Sequence, residues 1–295
     1  MINKIRQSKA IVFFIQTVVP FGIPFIFEIP DTIMVLKAKF VLAIIASCLD
    51  LLIIYAIAKD VKIDRQILFR NHAARCAYSH IYELNESKRN YYIDRVNNNS
   101  PNNRYNAVRF INEACRSFCN VIGEITHIEK EYMHTSFIYK VKGSEKWVWA
   151  TQKESTFRES SEKFINKKNT VFNQLINDDE DEEKAQVFIF YNDKLSKSKE
   201  DKYLLGARDK MHNNIGSIMG FRFGFCTNED VLIEGVLIIT TYGKRFVEDC
   251  NKEKEFELQR LIGDDIFPCY QRLLEIEMGN MYLDSNSETK TLLPQ

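Results

Sequence analysis

Breakers and tryptophan are scarce in this chain: tryptophan occurs twice, proline six times and glycine eleven times in 295 residues. That excludes a collagen-like or Gly/Pro-rich low-complexity chain and leaves room for long helices. Neither sign of charge predominates, since 40 basic residues face 40 acidic ones. A polybasic protein that coats nucleic acid by bulk charge is thereby excluded. Disulfide scaffolding is also missing. The seven cysteines (Cys48, Cys76, Cys115, Cys119, Cys226, Cys250 and Cys269) are odd in number and form no CxxC, so they read as reduced, mostly packed thiols. Catalytic signatures are absent: there is no Walker A loop, GxSxG, HExxH or kinase motif. The five histidines, His72, His80, His127, His134 and His212, are scattered along the chain. Neither an enzyme nor a resident cofactor or metal is expected.

What is present is an uneven apolar distribution. Residues 10–27 carry no charge, and residues 40–58 carry one, Asp50. A helix crosses a bilayer with roughly 20 apolar residues, so both runs fall at the short end of that range. The first lacks a small-x-small cleavage site, which argues against a signal peptide. The aliphatic density of the second argues against a buried core helix. Residues 1–58 therefore read as a two-span α-helical transmembrane hairpin. Lys4, Arg6 and Lys9 before it and Lys59, Lys62 and Arg65 after it place both termini in the cytoplasm. Pro20, Gly22 and Pro24 would break the first span. Asp50 would sit near the middle of the second, lining a pore or serving assembly.

Residues 59–104 read as a juxtamembrane helix followed by an Asn-rich linker. Residues 105–282 read as a soluble α+β domain, and 283–295 as a flexible tail. Helices are expected at 105–128, where Val108, Ile111, Cys115, Phe118, Ile122 and Ile125 form one stripe, and at 161–177 and 252–282, with Pro268 a kink site. Strands are expected at 132–141, 146–151 and 186–191, with a hairpin formed by 217–226 and 231–241. Phe221, Phe223 and Phe225 alternate onto one face of that hairpin. Residues 194–203 read as a polar loop, and 178–183 as a solvated acidic run.

This order, with the hairpin Glu234-Gly235-Val236-Leu237-Ile238 and the following Arg245-Phe246, resembles GAF and related PAS-like sensor domains. The resemblance implies a GAF-like α+β fold with a mainly antiparallel sheet and a small ligand. Trp147 and Trp149, two apart on one strand, share a face and read as sheet core or as a stacking platform. Arg208, Lys210 and Arg222 are the candidate phosphate partners. The layout is also similar to two-span effectors of bacterial anti-phage defence systems. That likeness implies a homo-oligomeric effector in the bacterial inner membrane, whose cytoplasmic domain senses a nucleotide-like ligand and controls permeabilisation. The alternative is a membrane-tethered GAF-like module that recruits a partner protein without forming a pore.

Overall fold

The computed structural model describes residues 24, 26–28, 30, 35–98, 106–150, 165–176 and 187–291, excluding the side chains of a few positions within the helices. The chain divides into two compact units, Met1–Asn71 and His72–Gln295.

One helix, α1, runs from Leu36 to Asn98 over 63 residues. Neither proline nor glycine occurs in that span, so nothing in the backbone stops it. This corrects the expected hairpin. The run 40–58 is the first third of α1, which passes without a break into Lys59, Asp60, Lys62, Asp64 and Arg65. Among the described residues no helix is long and apolar enough to cross a membrane. The first run lies mostly outside the described residues, as do Pro20 and Gly22; Pro24 is helical and exposed. Asp50 lies within α1, with its side chain outside the described residues. The pore assigned to Asp50, Pro20, Gly22 and Pro24 falls with the hairpin. The attributes of a membrane protein and ion channel fall with it. In the first unit, Phe40 packs edge-on against Phe27 with ring centroids 5.3 Å apart. Val41, Leu42, Ile44, Ile45, Leu51, Leu52 and Tyr55 are exposed.

The second unit is built on a five-stranded antiparallel sheet. Its strands are β1 (Met133–Val141), β2 (Val148–Trp149), β3 (Phe188–Tyr191), β4 (Ile218–Cys226) and β5 (Val231–Thr241), in spatial order β2-β1-β5-β4-β3. β5 is central, and its nearly continuous aliphatic sequence is what a strand covered on both faces requires. Ile233, Leu237 and Ile239 face one layer, and Val236 and Ile238 face the other.

The first layer comprises α2 (Ala107–Thr126) and α7 (Phe267–Thr291), joined by Ala73, Cys76 and Ala77 of α1. Asn106 starts α2 by accepting the Arg109 N–H, the usual end-cap for orphan donors. Phe118 is central: its ring lies 5.7 Å from Phe221 and 5.0 Å from Tyr270. The Tyr270 hydroxyl meets Ser117 Oγ at 2.8 Å, satisfying both buried groups. A Cβ at Gly235 would stand 2.8 Å from the Phe137 ring, so glycine is needed for that ring to cross the strand.

On the other face, α3 (Val171–Ile176) seats Val171, Phe172 and Leu175 against Val236 and Ile238. The helix expected over 161–177 is interrupted: residues 165–166 are helical, Asn169 then adopts a left-handed backbone (φ 72°), and α3 follows; residues 161–164 and 177 lie outside the described residues, with the acidic run. The long C-terminal helix begins as α6 (Lys252–Arg260) and passes through a π-helical turn, Leu261–Ile266, into α7. Pro268 lacks the N–H an α-helix would use there and its ring crowds the preceding turn. The wider turn accommodates it, and the Phe267 N–H bonds to Ile262 O.

Candidate ligand site

Two regions of the second unit concentrate polar chemistry. One joins the segment between β3 and β4 to the end of β5. That segment holds two short helices, α4 (Lys194–Lys199) and α5 (Ala207–Met211), where a loop was expected. Asp193 caps α4 through the Leu195 and Ser196 N–H groups, and Arg245 pairs with its other oxygen at 3.0 Å. Lys194 is fully buried. Its ammonium donates to Asp209 Oδ1 at 2.8 Å and to Thr241 O at 2.7 Å, and sits 4.1 Å from the Tyr242 ring centroid. Asp209 Oδ2 accepts from Gly206 N at 2.9 Å and Tyr203 Oη at 3.1 Å. Burial pulls the Lys194 ammonium below the usual lysine range, and the Asp209 charge opposes that shift. Beside it, Ser217 Oγ donates to Asn192 O and accepts from Phe246 N, while Asn192 Nδ2 donates to Val247 O at 2.8 Å. Most donors and acceptors here are consumed by one another, the buried Arg245 Nε being an exception, so this region is a lock between loops.

The other region is an open cleft of about 890 Å³ at the C-terminal end of α2. His127 ends α2 in a left-handed conformation (φ 56°), and Ile128 N–H returns to Gly123 O at 2.9 Å. This helix-ending loop turns the chain so that Ile128, Lys130, Met133 and His134 line one wall. Arg116 and Glu124 of α2 and His72 of α1 also line the cleft. The Glu124 carboxylate is engaged by His80 Nε2 at 2.8 Å. That hydrogen bond holds it below the usual carboxylate range, with burial opposing. Cys76 lies 3.7 Å from His72 Nε2; burial and Glu124 push its thiol up, away from a reactive thiolate. Arg116, Lys130 and three imidazoles thus share the lining with Ile128 and Met133 and with two acids, Glu129 and Glu124, the second of which is engaged by His80. The volume falls in the range that holds small organic ligands.

The chain matches no family model, no curated protein and no solved structure.

The ligand residues expected from sequence lie elsewhere. Trp147 and Trp149 do share a face, where both pack into the core under α3, and Trp149 meets Phe172 edge-on at 5.7 Å. Arg222 donates to Glu234 Oε1 at 2.6 Å and to Leu175 O at 3.0 Å, tying α3 to the sheet. Arg208 and Lys210 are exposed on α5, with Arg208 above the Tyr242 ring at 5.2 Å. None of these five lines the cleft. Sequence reasoning missed the cleft because its histidines come from segments about 50 residues apart. Four of the five histidines gather at this end of the unit: His72, His127 and His134 in the lining and His80 on Glu124. Among the described residues no group of three or more His, Cys, Asp and Glu could hold a metal ion.

Proposed function

We propose that residues 72–295 form a non-catalytic, GAF/PAS-like ligand-sensing module. Its ligand is a small anionic molecule with an apolar or planar part, of the mononucleotide class. The observation that carries this reading is the cleft beside Ile128 and Met133, where Arg116 and Lys130 accompany His72, His127 and His134. Guanidinium and ammonium groups are the natural partners of phosphate oxygens, and Ile128 and Met133 offer a surface for a base or similar flat group. Non-catalytic use is supported by the nearby Cys76, whose thiol burial and Glu124 push up, away from the thiolate.

Binding would stabilise the unit by mass action, by about 2.7 kcal/mol at a ligand concentration one hundred times Kd. The test is calorimetric titration of adenosine monophosphate into the full chain. Saturable binding by the wild type, weakened at least tenfold by Arg116→Ala or Lys130→Ala, is the expected result. Binding that is indifferent to both substitutions contradicts the placement.

A further inference from the structure

The second unit carries a self-complementary helix face. Within α1, Ala73, Cys76, Ala77, Ile81 and Leu84 turn toward the core. On the far side, Tyr78, Tyr82, Asn85, Arg89, Tyr92 and Val96 follow one another at alternating spacings of four and three. That is the a/d spacing of a short coiled-coil seam, with the polar Asn85 and Arg89 at its centre. Tyr78 is 72% exposed, Tyr82 57%, Tyr92 43% and Val96 74%. Asn85 and Arg89 are exposed as well.

We propose that this face docks a second copy of the chain, with the two helices antiparallel about a two-fold axis near Ser87. Two arguments select that occupant. The first is area. At the exposures given, three aromatics, a valine and the Arg89 stem offer at most about 600 Å² per copy, and about 1,200 Å² in total reaches the lower edge of the size class of stable interfaces. The second is electrostatic: the antiparallel register avoids a like-charge contact that the parallel one makes. A parallel, in-register pair sets Arg89 against its own copy, which is repulsive. The antiparallel pair instead sets Tyr82 against Tyr92 of the second copy, Tyr78 against Val96, and Asn85 against Arg89, where the amide oxygen accepts from the guanidinium. Each copy makes the same contacts in exchange, as a two-fold interface requires. Among the described residues Arg89 pairs with Glu86 at 3.3 Å on the surface, so little is lost when it turns to the new partner.

The test uses the full chain with Cys48, Cys226, Cys250 and Cys269 replaced by serine. Tyr82→Cys and Tyr92→Cys chains are treated with a short bismaleimide, separately and mixed. Cross-linked dimer is expected in the mixture and not in either chain alone, because like positions lie about 15 Å apart along an antiparallel pair. Adding Asn85→Lys to both chains opposes Arg89 and lowers the yield at least tenfold, whereas Asn85→Glu raises it. Dimer from Tyr82→Cys alone overturns the antiparallel pairing. Absence of cross-link in the mixture, or a yield unmoved by the charge changes, overturns the interface.

Discussion

The Lys194 ammonium lies 2.8 Å from the Asp209 carboxylate, with the two side chains 0% and 4% exposed. Few ion pairs are so completely withdrawn from water. Desolvation of two charges costs several kcal/mol per ion, and their mutual attraction restores that only when the other donors and acceptors are also met. Here Thr241 O, Gly206 N and Tyr203 Oη meet them. The pair therefore fixes where the segment between β3 and β4 lies on the end of β5.

Breaking one side of the pair leaves the other buried and uncompensated. Lys194→Met is expected to destabilise the chain by about 3–5 kcal/mol. The double variant Lys194→Met/Asp209→Leu is expected to cost much less than the sum of the single changes. Urea midpoints of the four chains check this. Additive costs would show that the two groups do not act as a pair.

The same region dictates an alkaline response. Burial, reinforced by the Asp209 charge, raises the Tyr203 and Tyr242 phenols above the ordinary range. The unfolded chain then releases these protons first, from about pH 10, and stability falls as pH rises beyond that point. Lys194 works in the opposite sense below that point. Its folded-state pKa is lowered, so between that value and about 10.4 the unfolded chain holds more protons and stability rises with pH. The expected profile of urea midpoint against pH is a rise toward about 10 and a decline above it. Tyr203→Phe makes the decline shallower and costs about 1 kcal/mol at neutral pH, through its lost hydrogen bond to Asp209.

Gly216 is the point where the lock tolerates no side chain. A Cβ there would stand 2.3 Å from Thr241 O and 3.2 Å from Lys194 Nζ. Gly216→Ala must displace the carbonyl that accepts from the lysine, and a loss of about 1–3 kcal/mol is expected. Hydrogen exchange should show faster opening of the Lys194 and Thr241 amides. Protection equal to that of the wild type would place the backbone elsewhere.

Much of the sheet is legible in the sequence. The hairpin expected at 217–226 and 231–241 forms at Ile218–Cys226 and Val231–Thr241, because strict alternation of Phe221, Phe223 and Phe225 has one solution on a pleated face. The helix expected at 105–128 forms at Ala107–Thr126, as its apolar stripe dictates. Less local features are not legible. An apolar run reads alike whether it is a free-standing span or the start of a longer helix, and the run 40–58 is the latter. Lys194 stands in a polar stretch with Lys197 and Lys199, and nothing local marks it as the one that is fully buried. His72 and His134 line one cleft through the packing of α1 beside α2 and the course of the chain from α2 into β1, a relation set by tertiary packing.

The central claim is that an anionic ligand enters the cleft beside His127 and His134. It is tested most directly by NMR of the chain labelled selectively at histidine, titrated with adenosine monophosphate and assigned through His→Gln variants. His212 lies outside the cleft lining and serves as an internal control. The account predicts that the His127 and His134 resonances move together and saturate while His212 stays fixed. Unmoved cleft histidines, or movement confined to His212, would contradict it.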